Sequence, residues 1–123
     1  MTIMEAPPLE RKLVAILAAD VEGYSRLMHR DEEAALATLS SHRSIIDAII
    51  VQGRGEISGT AGDSVLAEFA SVVDAVYSAV SIQQALTKAN AALPPDRRMM
   101  LRIENPRCFT GNFCRGGRKD EPR

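Results

Sequence analysis

Two aspartates stand where carboxylates could hold a metal. Asp20 closes an apolar stretch, Leu13 to Ala19, and is followed by Val-Glu-Gly-Tyr-Ser. Asp63 follows Gly62 in a turn signal, Ala61-Gly62-Asp63, between two short stretches of strand character. Two carboxylates at one end of a sheet repel unless a positive charge lies between them. Mg²⁺ suits that position, because it takes one or two protein carboxylates and completes its shell with water and substrate phosphate. Gly23 lets the backbone turn closely after Asp20, and the amides of Glu22 to Ser25 could then face phosphate oxygens. Glu22 is an awkward neighbour for phosphate, so its side chain should face away. The plain alternative is structural: a lone Gly-Asp in a hairpin is most often a turn, and an Asp after a strand is most often its polar end.

The elements that must position these residues read as follows. Leu13 to Ala19 is short and continuously apolar, the pattern of a buried strand. Gly23 to Met28 makes one or two helical turns. Asp31 is an N-cap with Glu32 and Glu33 in the first turn, where carboxylates suit the helix dipole. Leu36, Leu39, Ile46, Ile49 and Ile50 then recur at helical spacing until Gly53. Glu56–Thr60 and Ser64–Phe69 form a hairpin. Ser71-Val-Val-Asp74 is a capping box that opens a long helix, which Pro94-Pro95 ends. Met99 to Ile103 starts another strand. The order β-α-α-β-β-α-β predicts an α+β fold with helices on one face of a mostly antiparallel sheet.

Composition narrows the class. The chain has 123 residues, enough for one domain, with 46% hydrophobic and 25% charged residues. Aromatics make up 4%, which argues against a base-stacking surface, and the formal net charge of −1 supplies no basic field for nucleic acid. The two cysteines, Cys108 and Cys114, have neither zinc spacing nor enough partners for a disulfide scaffold. No signal peptide or membrane segment is expected, and a cytoplasmic setting follows. The character changes after Ile103. Residues 1–104 carry net −4, residues 105–123 net +3, and the end is rich in Arg, Gly and Pro without any period. Residues 1–10 are read as a loose leader, 11–103 as the domain, and 104–123 as a basic tail expected to be disordered. The tail is either natural or the product of an out-of-frame end. His29, His42, Arg97, Arg98 and Glu68 read as packing or solvated residues.

Asp20-Val21-Glu22-Gly23-Tyr24-Ser25 and Thr60-Ala61-Gly62-Asp63-Ser64-Val65-Leu66-Ala67-Glu68-Phe69 resemble the two signatures of class III nucleotidyl cyclases, the adenylate/guanylate cyclase catalytic domain. The resemblance covers the N-terminal half of such a domain and implies a truncated, ferredoxin-like nucleotidyl cyclase fold. It implies two Mg²⁺ or Mn²⁺ ions held by Asp20, Asp63 and the Val21 carbonyl. Gly23, Tyr24 and Ser25 would line the triphosphate of ATP or GTP. A homodimer or heterodimer with another cyclase domain would complete the sites. Gly59 stands where many active members have a base-selecting Lys. Nothing after Ile103 matches the base-reading carboxylate or the Asn-x-x-x-Arg segment of the second half, so the expected fragment is inactive alone. The alternatives are a non-catalytic remnant that partners an intact cyclase and an unrelated α+β binding module.

Overall fold

The computed structural model describes residues 13–104 and 107–110. The predicted leader and the tail beyond Thr110, with Cys114, lie outside the described residues. Strand β1 (Leu13–Val21) leads to α1 (Tyr24–Arg30) and α2 (Glu32–Gln52). The hairpin β2 (Glu56–Ala61) and β3 (Ser64–Phe69) follows, then α3 (Val72–Ala91). A 3₁₀ turn, Pro95–Arg97, precedes β4 (Leu101–Ile103), and β5 is Arg107–Thr110. The sheet is antiparallel in the order β2-β3-β1-β4, with β5 beside β1 as well. The α+β expectation holds.

Local chemistry sets the helix ends. The Asp31 carboxylate accepts from Ala34 N at 3.1 Å, and Ser71 Oγ accepts from Asp74 N at 3.2 Å. Each satisfies one amide that the first helical turn leaves without a partner. Both long helices pack on one face of the sheet. Alternation along β1 buries Ala15, Leu17, Ala19 and Val21 beneath them, with Ile46, Ile50, Phe69, Ile82 and Leu86. Val14, Ile16, Ala18 and Asp20 therefore take the opposite face. By length and composition α2 could cross a membrane. Here it lays Ala35, Thr38, His42, Ile46 and Ile50 into the interior of the fold.

Three expectations need correction. β1 does not stop at Ala19 but runs through Asp20 to Val21, because β4 pairs with all three of its last residues. Arg107–Thr110, assigned to a disordered tail, forms β5 opposite Leu13–Ile16. The cause is non-local: the edge of β1 beyond β4 presents amides and carbonyls that a returning strand satisfies. The return is not in one register, since Ile16 to Ala19 spans three steps while Ile103 to Arg107 spans four. Third, of the apolar positions the sequence marks on the long helix, Val72, Val73, Val76, Val80 and Leu86, only Leu86 is buried, and the inward face is Ala75, Ser78, Ile82, Leu86 and Asn90.

The connection from α2 to β2 is tightly packed. A Cβ on Gly55 would stand 2.5 Å from Phe69 Cε2 and 2.9 Å from Ile50 Cγ2. Both neighbours are buried, so neither yields easily. Gly55→Ala should lower stability by about 1–3 kcal/mol through overpacking. Urea denaturation checks this as a lower midpoint with an unchanged slope. Gly59→Ala, where a Cβ meets nothing within 4 Å, should show no comparable loss.

Candidate functional site

The two aspartates meet at one end of the sheet, Asp20 on its helix-free face and Asp63 in the hairpin turn. Asp20 projects there by the alternation of β1. Asp63 reaches the same end through the register of the hairpin. Ala19 faces Val65, so the next in-phase rung would set Val21 against Asp63. The strand has turned away by then, and the Asp63 side chain takes the rung's place: Val21 N donates to Asp63 Oδ2 at 2.9 Å. The turn carboxylate is thus fixed beside the residue that follows Asp20. Gly62, at φ +59°, supplies the left-handed step that the tight turn needs.

Arg102 was not among the residues singled out from sequence. It lies directly opposite Asp20 across β1 and β4. Its guanidinium approaches both carboxylate oxygens, Nε to Oδ1 at 3.2 Å and Nη2 to Oδ2 at 3.3 Å. The hydrogen bonds and charge of Asp20, with smaller contributions from Glu22 and Asp63, raise Arg102 above the usual arginine range. It remains a cation throughout the accessible pH range. The pair is solvent-exposed, so its worth is local charge balance rather than fold stability. The signal in the sequence was the alternation Leu101-Arg102-Ile103, which puts the arginine on the outward face. Asp20 and Arg102 line a cleft of about 370 Å³ with Ser64, Leu66 and Glu104.

The turn after β1 differs from expectation in one respect. Glu22 N donates to Met100 O at 2.8 Å, so that amide is committed to the sheet. The amides of Gly23, Tyr24 and Ser25 have no backbone acceptor among the described residues. Gly23 is the N-cap of α1 at φ +65°. The Tyr24 side chain is half-buried and packs with Val21, Ala35 and Met99. Ser25 is exposed. Gly59 lies on β2 opposite Leu66, next to an irregularity in the ladder and away from this turn. Among the described residues no group of three or more His, Cys, Asp or Glu gathers as a metal cage. The site therefore offers two carboxylates, a nearby guanidinium and open amides. That donor set fits a hard cation which keeps waters and shares phosphate oxygens, and does not fit zinc.

Fold and site together define a domain built to bring carboxylates to the end of an antiparallel sheet beneath two helices. No family model matches the chain. It is 42% identical over 101 residues to "Putative adenylate cyclase 3" of Rhizobium meliloti (strain 1021), covering 81% of this chain and 17% of that protein. It is similar to the crystal structure of an adenylate/guanylate cyclase/hydrolase from Silicibacter pomeroyi, with 40% identity and a TM-score of 0.73, over 82% of this chain and 59% of that one. It also shares the fold of the guanylyl cyclase Cya2, with 20% identity and a TM-score of 0.71, over 82% of this chain and 56% of that one. The chain belongs to the class III adenylate/guanylate cyclase domain family, of which it holds the N-terminal part.

Asp63→Ala removes the acceptor of the Val21 amide. A loss of about 1–2 kcal/mol is expected, read by urea denaturation. Asp63→Asn, which keeps a side-chain oxygen, should lose less.

Proposed function

We propose that residues 11–103 are the N-terminal half of a cyclase catalytic domain whose substrate is ATP, with GTP the second choice. The observation that carries this reading is the Val21–Asp63 hydrogen bond, which fixes the hairpin carboxylate beside Asp20. Asp20, Asp63 and the Val21 carbonyl would hold Mg²⁺ or Mn²⁺, two ions in the complete site. Bound there, the metal neutralises the triphosphate and lowers the pKa of the ribose 3′-hydroxyl. The chain's own groups bind and orient. Gly23, Tyr24 and Ser25 offer amides to phosphate oxygens. Arg102 supplies a fixed positive charge at the same end, and its planar fork suits phosphate as well as carboxylate. In the reaction the 3′-oxygen bonds to the α-phosphorus, the bond from that phosphorus to the bridging oxygen breaks, and pyrophosphate leaves. The hydroxyl proton passes to solvent.

The polypeptide of residues 1–123 is inactive by itself in this reading. It has Gly59 where a base-reading Lys is common, and residues 104–123 provide no match to the groups that orient the ribose and stabilise the transition state. Losing one charge-stabilising Arg alone lowers phosphoryl transfer about 10³-fold or more. A dimer with another cyclase domain, in a cytoplasmic setting, would complete the sites. The second reading is a non-catalytic partner of an intact cyclase, and the departure at Gly59 from the base-reading Lys favours it.

A turnover assay separates these. Purified residues 1–123 with Mn²⁺ and ATP or GTP should form no cyclic nucleotide above background. A chimaera joining residues 1–103 to the C-terminal portion of the Silicibacter pomeroyi protein should turn over, and Asp20→Ala or Asp63→Ala should abolish its activity. A folded, active chimaera indifferent to both substitutions would refute the site.

A further inference from the structure

The segment that carries Arg102 is held by a buried side-chain amide on α3. Asn90 is 6% exposed. Its Oδ1 accepts from Met99 N at 3.1 Å and its Nδ2 donates to Met99 O at 2.8 Å. The side chain thereby bonds both polar groups of one residue, as a neighbouring strand would. His42 of α2, also buried, approaches Asn90 Oδ1 through Nε2 at 3.0 Å. Asn90 Nδ2 is committed to Met99 O, so the amide orientation is set, and Oδ1 can only accept. His42 therefore donates from Nε2. Among the described residues its Nδ1 has no partner. The imidazole makes one hydrogen bond among the described residues, and that bond goes to the clamp.

What the clamp decides is register. From Met99 to Glu104 the sequence alternates with period two. Met99 is buried and Leu101 and Ile103 are half-buried, while Met100, Arg102 and Glu104 are exposed. A one-residue slip of β4 along β1 would turn the apolar set to solvent, so burial forbids it. A two-residue slip would not be forbidden that way. It leaves every apolar side chain facing inward and sets Met100 or Glu104 opposite Asp20 instead of Arg102. β4 has three residues, and few rungs oppose such a shift. Exposed Gln83, which donates from Nε2 to Leu101 O at 2.9 Å, also resists it, and so do the rungs of β5 against Leu13–Ile16 on the same edge of β1.

We infer that Asn90, braced by His42, is a positioning residue that selects this register among the in-phase alternatives and so sets Arg102 opposite Asp20. The functional consequence rests on the cyclase reading of that end of the sheet; the register claim does not. A slip that brought Glu104 to Asp20 would replace the cation with a third carboxylate where triphosphate is to bind.

The test compares the 123-residue chain with Asn90→Ala by NMR. Two amides report the register directly, Glu22 N–H bonded to Met100 O and Glu104 N–H bonded to Ala18 O. In Asn90→Ala their hydrogen exchange should accelerate about tenfold or more relative to β1–β3 amides. The cross-strand contact between Asp20 and Arg102 should weaken in favour of Met100 or Glu104. Asn90→Asp keeps the acceptor for Met99 N–H and His42 but loses the donor to Met99 O, so it should fall between. If Asn90→Ala does not fold, Asn90→Asp decides with the same readouts. Equal acceleration across the whole sheet, or an Asp20–Arg102 contact unchanged in both variants, overturns the proposal. Wild-type protein that fails to bind Mn²⁺ would remove the functional reading and leave the register question decided by exchange alone.

Discussion

The middle position of β1 constrains the rest of the structure. This strand pairs with β3 on one side and with β4 and β5 on the other. Its period-two alternation sends Ala15, Leu17, Ala19 and Val21 under the helices. Asp20 has no choice but the open face. Because both neighbours are antiparallel, the ends that meet Asp20 are the start of β3 and the body of β4. The first brings Asp63 and the second brings Arg102. No loop of special shape is needed to gather the three groups; strand order and register suffice. A fold that shifted either register would keep much of its core and lose the site.

Parts of this were legible in the sequence and parts were not. The helix starts at Asp31 and Ser71 were readable because capping is local chemistry, settled within four residues. The hairpin and the inward face of β1 were readable from periodicity. Convergence of Asp20 and Asp63 was readable once the first strand and the hairpin were set side by side in one sheet, the resemblance of the two motifs agreed with it, and the Val21–Asp63 hydrogen bond supplies its physical form. Arg102 escaped notice because one arginine in a short alternating strand looks like any solvated face until the opposing residue is known. β5 escaped because the edge it satisfies belongs to a strand about ninety residues earlier, and nothing in residues 107–110 themselves signals that edge. Asn90 carried no signal in the sequence, yet it is buried and bonded through both ends of its amide.

The charge pattern fits the chemistry assigned to it. Asp20 and Asp63 lie at one sheet end with an arginine as counter-ion, and the amides of the following turn have no backbone acceptor among the described residues. Two carboxylates at one sheet end repel, and the Arg102 guanidinium beside Asp20 offsets that charge. A divalent cation at Asp20 would compete with that guanidinium and free it for phosphate. The outer face of α3 tells of a different need. Val72, Val73, Val76, Tyr77 and Val80 are exposed along it, more apolar surface than a helix turned to water usually carries.

The central claim is that Asp20 and Asp63 form one cation site at the end of β1. Titration of the ¹⁵N-labelled chain with Mn²⁺ tests it most directly, because paramagnetic broadening falls steeply with distance from the ion. Broadening should begin at the amides of Asp20, Val21 and Asp63 and reach Gly23 to Ser25 next, and it should vanish from these residues in the Asp20→Ala/Asp63→Ala double variant. Broadening spread evenly over the surface acids, or a pattern at β1 that survives the double variant, would contradict it.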